Sequence, residues 1–287
     1  MRRYGVGFAL VGLLAAAAAA EDPVAIKIAY PQAGQRAKVT VEGKSVTKSV
    51  FTVQGTPQTK EDVKTKSLVY TDEVIENPKN EKRATKLKRT YEKAAVGKAG
   101  DAKALPVEGK TVLIEKKGDK YTFTADGQAL TGESLKLLED EFGKRDGPEP
   151  RELMLPKTPV KPGDTWKIDP GEIVKAFGTA GPVLAKDEVK AGGTLMKTYK
   201  KDGRQFGVIE LAFEAPVTGL GEKSPLAVKE GKMTLKITGD GCIDGTAPTG
   251  TSTGKLVFAV TGTAMGVDLK MIVEETESRT TELLPAK

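Results

Sequence analysis

Long stretches of this chain alternate apolar and polar residues with a period of two, the signature of strands that bury one face. In KMTLKITG, Met233, Leu235 and Ile237 fall on one side, with Lys232, Thr234 and Lys236 on the other. VIELAFEA groups Ile209, Leu211 and Phe213 in the same way, and KLVFAVTG groups Leu256, Phe258 and Val260. VDLKMIVEE adds Val267, Leu269, Met271 and Val273. One-sided alternation belongs to antiparallel sheet with one face solvated. An Asp-Gly turn at Lys201–Arg204 joins GGTLMKTYK to QFGVIELAF, so the C-terminal part reads as a meander of about five long strands.

The N-terminal part offers RAKVTVEG, SVFTVQG, VKTKSLVYTDEVI and TVLIEK as separate strands, the last turning at Lys117–Asp119 into KYTFTADG. Residues 82–96 fit two patterns. Leu87, Tyr91, Ala94 and Ala95 have helical spacing, while Thr85, Leu87, Arg89 and Tyr91 would share one face of a strand; the strand is preferred. Two helices are expected. SLKLLEDEFG would start at a Ser134 cap, group Leu135, Leu138 and Phe142, and stop at Gly143, leaving Glu139, Asp140 and Glu141 as surface charge. Asp169-Pro170-Gly171-Glu172 resembles a cap, a first-turn proline and a capping-box acid, opening a short helix through Ile173, Val174 and Phe177. The fold class expected is therefore mainly β (α+β): long antiparallel strands in a curved sheet or half-barrel, with two or three short helices. The charged, proline-broken KRDGPEPRE separates a β-rich half at 21–148 from another at 149–287, or interrupts one continuous unit, 21–287.

The first twenty residues, MRRYGVGFALVGLLAAAAAA, have the basic, apolar and small-residue regions of a cleaved secretory signal. No cysteine near the junction offers a lipoprotein anchor, and no later stretch is long and apolar enough for a helical span. A periplasmic or secreted location is expected. Losing the leader's two arginines lowers the formal charge from +6 to +4. Lysines and acids interleave without aromatic residues, which argues against a nucleic-acid platform and leaves weak attraction to acidic polymers.

The chain has no histidine, which removes Ser-His-Asp and Cys-His nucleophile activation and the usual ligand of catalytic zinc. Its single cysteine, Cys242, forms no internal disulfide, so stability rests on a packed core. GDGCIDGT, with Asp240 and Asp244, reads as a turn rather than a cation loop, and GTAPTGTSTG as a polar loop. Ser45–Lys48 matches SxxK only by spacing, on an expected hairpin, and no phosphate-binding glycine loop is present. No catalytic, cofactor or metal residues are assigned.

The one tryptophan lies in LPKTPVKPGDTWKID. Pro159 and Pro162 stiffen an extended approach, Gly163-Asp164 turns, and Trp166 and Ile168 share a strand face. With LVYTDEVIE, KLKRTYEKA, GKTVLIEKKGDKYTFTADG and KKDGRQFGVIEL, this phrase resembles a group of secreted, planctomycete-type bacterial proteins of uncharacterised function. The resemblance spans most of the mature chain and implies a sheet-rich body, but no activity and no catalytic residue. The outline is also similar to the half-barrel of periplasmic lipoprotein carriers, a likeness of fold alone.

These readings converge on an exported, non-catalytic envelope protein that binds an apolar or amphiphilic ligand, such as a lipid, on a concave apolar sheet surface. Trp166, Phe213 and Phe258 are its candidate ligand contacts or core anchors, with Trp166 favoured as a core peg. The alternative is a structural or interaction module that meets another envelope protein. A hydrolase using carboxylates or lysine ranks third.

Overall fold

A computed structural model describes residues 22–53, 56–78, 82–143, 150–177, 181–221 and 224–285. The expected leader and most of KRDGPEPRE lie outside these. The protein is mainly β, 64% strand and 9% helix, built as one large, curved, unclosed antiparallel sheet.

The elements follow in chain order. Strands β1 (Arg36–Val53), β2 (Thr56–Glu76), β3 (Lys86–Lys98), β4 (Asp101–Ala104), β5 (Thr111–Lys117), β6 (Lys120–Ala125) and β7 (Gln128–Ala129) precede helix α1 (Gly132–Phe142). Then come α2 (Pro150–Leu153), β8 (Thr165–Lys167), α3 (Pro170–Phe177) and β9 (Val183–Leu184). The C-terminal meander follows as β10 (Lys190–Lys201), β11 (Arg204–Gly219), β12 (Ala227–Cys242), β13 (Gly250–Ala264) and β14 (Val267–Leu284). Across the sheet the order is β7-β6-β5-β3-β2-β1-β14-β13-β12-β11-β10-β8, with β4 beside β3 and β9 beside β11. Two meanders are thus joined where β1 meets β14, in register from Arg36↔Leu284 to Phe51↔Leu269.

Cross-strand partners share a face, so the register sorts the side chains. Tyr91, Tyr70, Val39, Val273, Phe258, Met233, Phe213 and Trp166 all point to one side. This apolar face carries two cores. One gathers Val39, Val41, Leu68, Tyr70, Leu87, Tyr91, Val112, Ile114 and Phe123 under α1. The other gathers Ile168, Ile173, Phe213, Ala215, Val217, Met233 and Val260 beside α3 and the segment before β8. Between them, the mid-sections of β1 and β14 bear mainly Ser, Thr, Lys and Glu.

Several expectations are corrected. RAKVTVEG and the SVFTV of SVFTVQG belong to one 18-residue strand, so Ser45–Lys48 lies mid-strand and not on a hairpin. The strand β12 runs through GDGC to Cys242, and β13 begins at Gly250, inside the stretch read as a polar loop. In both places Ser, Thr, Gly and charged residues face water on both sides, so no alternation marks the strand. Helix α1 starts from Thr131; Ser134 is buried inside it and caps nothing. Residues 86–98 form a strand, as preferred, because Leu87, Arg89 and Tyr91 point together into the first core.

Candidate functional site

Trp166 sits on the edge strand β8, half-buried, opposite Gly193 of β10. The indole lies on the space a side chain at 193 would fill. Its Nε1–H donates to the Met154 carbonyl at 2.8 Å. The preceding turn forms as read: Gly163 has φ +88°, and the Lys161 N–H donates to Asp164 Oδ2 at 2.8 Å. Trp166 therefore pins the 150–168 segment over the second core. Asp169 accepts from the Gly171 N–H at 2.7 Å and caps α3. Phe213 is buried on β11, and Phe258 is half-buried on β13. The fold brings all three into one apolar cluster.

Beyond the cover of Met154, Ile168 and Ile173, that cluster continues as a row of half-buried side chains on adjacent strands. Leu211, Ile237, Leu235, Leu256, Phe258, Met271 and Leu269 form it, ending near Phe51 of β1. Beneath the cover a wholly apolar gap of about 30 Å³ is lined by Met154, Ile168, Ile173, Leu211, Phe213, Leu235 and Ile237. That is room for no more than a small group. The apolar concavity expected from the sequence is therefore only a seam.

The large concavity lies on the opposite, polar face. It opens across β2, β1, β14, β13 and β12 with a volume of about 690 Å³. Its side chains include Glu42, Lys44, Ser67, Lys236, Thr253 and Lys255. Lys255 pairs with Glu274 at 3.2 Å, and Ser67 donates to Glu42 at 2.7 Å. Lys44 and Lys236 make no ion pair among the described residues. The missed signal was the same two-sided polarity that hid the strands.

A third feature is Arg89, 1% exposed within the first core. Its Nε and Nη2 donate to Asp72 at 2.7 and 2.9 Å, and its Nη1 and Nη2 donate to Glu141 at 2.6 and 3.0 Å. The guanidinium stacks 3.8 Å from the Tyr70 ring centroid. Burial opposes its charge, but the two carboxylates overcome that and hold its pKa above the ordinary arginine value. Burial alone would raise the Glu141 pKa, yet Arg89 draws it below the usual carboxylate range. Glu141 is thus not the plain surface charge expected; it ties α1 to the sheet. A lone arginine among the apolar residues of one strand face is the sequence sign of such a pair.

The acids of GDGCIDGT are taken up by hydrogen bonds within the protein. Asp240 accepts from the Tyr199 hydroxyl at 2.6 Å, which pushes the Tyr199 pKa up to about 12. Asp244 accepts from Thr246 Oγ1 and N at 2.5 and 2.9 Å, the Gln205 N–H at 2.8 Å and the Cys242 thiol at 3.1 Å. These bonds, the Thr246 hydroxyl first, hold its carboxyl far below the usual range despite opposing desolvation.

The molecule is an open antiparallel-sheet protein with two separately capped apolar cores. No family model and no curated protein matches the chain. One solved structure, of lipovitellin and concerned with its lipid–protein interactions, aligns with a TM-score of 0.41 and 8% identity. The alignment covers 89% of this chain and 26% of that one, so this chain spans about a quarter of its length. A likeness of that size leaves function to be argued from this chain's own residues.

Proposed function

We propose that this is an exported, non-catalytic binding protein whose apolar sheet face receives the hydrocarbon part of an apolar or amphiphilic ligand. The observation that carries the reading is the row from Leu211 to Leu269, apolar on every strand yet only half-covered. A sheet face left in that condition gains from any hydrocarbon laid over it, at about 25 cal/mol per Å² removed from water. The 30 Å³ gap marks where the cover meets the sheet, and displacing the Met154 segment would widen it into a groove. Phe213 lines that gap, Phe258 extends the row beyond it, and Trp166 is the peg that holds the cover.

The test is uptake of an environment-sensitive apolar dye by folded protein, together with mass spectrometry of co-purified lipid. Wild type is expected to take up dye, and Phe258→Asp to lose most of it while staying folded. Folded wild type with neither dye uptake nor bound lipid ends this reading. The polar trough favours a second one, an interaction module for an acidic envelope component, through Lys44 and Lys236. Such binding would weaken steeply with salt, whereas uptake of hydrocarbon would not.

A further inference from the structure

The two ends of the sheet differ. At one end, residues 22–35 run across the strand ends as a strap. Val24 pairs with Val160, the Lys27 N–H donates to Ile243, and the Gly34 N–H donates to Val74, each bond 2.8 Å. Tyr30 and Lys82 both reach Glu152. The other end, where β1 turns into β2, β11 into β12 and β13 into β14, has no such strap among the described residues.

This bare end collects exposed apolar side chains. Four large hydrophobic residues stand out as exposed: Val183 at 50%, Met196 at 47%, Met265 at 91% and Val267 at 37%. Met196 is the bulge residue of the outer strand β10. Met265 and Val267 lie at the tip of the bare end, and Val183 is set back from it, level with Leu269. Met265, with φ +51°, and Gly266, with φ +78°, form the tight turn between β13 and β14, and Val267 follows. Val183 pairs with Gly219 where β11 ends. The Phe51↔Leu269 pairing sets the end of β1 level with the start of β14.

From this arrangement the geometry points to a docking end: the Met265 and Val267 tip residues insert into the surface of a phospholipid bilayer. This rests on the ligand reading above, because it places the half-covered row, which reaches Leu269, directly behind the inserted tip. Three features favour a bilayer over a protein partner. The apolar groups stand on one narrow protruding tip, which suits a fluid phase that needs no matching shape and suits a flat protein surface poorly. Lys270 stands three residues behind Val267, about 10 Å at 3.3 Å per residue, near the depth at which interfacial segments bury their apolar side. Lys270 and, on the neighbouring hairpin, Lys60 are exposed and make no ion pair among the described residues, so both are available to lipid phosphates. By contrast, Lys229 is already paired with Asp268 at 2.8 Å.

The test is flotation with vesicles of phosphatidylcholine containing a minor share of phosphatidylglycerol. Wild type is compared with a variant carrying Met265→Asp and Val267→Asp, whose unchanged thermal midpoint shows that it folds. The variant is expected to bind about tenfold more weakly or worse. A dye attached at Met265→Cys, with Cys242→Ser, should shift to blue emission on vesicle binding. Failure of wild type to float, equal flotation of the variant, or a label that stays in water would each overturn the docking end. So would a concentration-dependent dimer that the aspartates abolish, since the tip would then serve a second copy of the chain. Apolar-dye uptake without vesicles separates the two ideas. A wild type that floats but takes up no dye keeps the docking end and loses the ligand face; dye uptake without flotation does the reverse.

Discussion

Arg89 shows how much a single buried charge can decide. With two carboxylates bound bidentately and a tyrosine ring beneath it, the guanidinium is compensated; with Glu141 gone, Asp72 still neutralises it, but Nη1 loses its charged acceptor. Glu141→Gln is expected to lower stability by about 1.5 kcal/mol, the worth of a hydrogen bond to a charged group, since Asp72 still pairs with Arg89. Arg89→Met, in the background of Asp72→Asn and Glu141→Gln, should recover much of that loss, and denaturant titration compares them. The same site sets an acid limit. Because the folded pKa values of Glu141 and Asp244 are depressed, their contributions are fully present above the unfolded carboxylate value of about 4 and are lost as pH falls below it. Midpoints from urea melts should hold steady from neutral pH to about 5 and then drop, less steeply in Glu141→Gln.

At the scale of elements, β8 has three residues and three cross-strand pairs, too few to hold an edge alone. Trp166 supplies what the ladder lacks: area against Gly193 and a hydrogen bond to Met154. Trp166→Ala is expected to cost about 3 kcal/mol and to increase amide exchange over residues 154–168, read by hydrogen–deuterium exchange. Unchanged exchange combined with lost dye uptake would make Trp166 a ligand contact instead. The sequence made such elements legible wherever one face was buried. The alternation at Leu211/Phe213 and Leu256/Phe258 revealed the strands and placed their side chains in one core. It failed at Gly43–Ser49 and Thr276–Leu284, where both faces meet water or polar neighbours and the period-two signal vanishes. The candidate site was legible to the same extent. The apolar face could be read, but the direction of curvature could not, because bending is set by the summed twist of all the strands.

For the whole molecule, the seam is the pairing of β1 with β14, sixteen residue pairs contributed by strands more than two hundred positions apart. Deleting residues 267–285 would bare an edge on each meander, leaving the first core's buried residues in place and removing Leu269 and Met271 from the margin of the second. The truncated chain is expected to keep near-native far-ultraviolet circular dichroism at low concentration and to aggregate as concentration rises, measured by light scattering. A truncated protein that stays monomeric would mean that the meanders are independent of their seam.

That seam also has a history within each folding event. Contacts so distant in sequence form late, since a long loop must close before they are rewarded. Until β14 arrives, β1 is an open ladder on a finished meander, able to pair with any passing strand. Its exposed positions include Glu42, Lys44 and Lys48, and Lys38 pairs at the surface with Glu92. Charges on an edge discourage pairing with strangers. The polar mid-section that hid this strand from view thus acts as a guard, keeping the first meander solitary while it waits for the last strand of the chain.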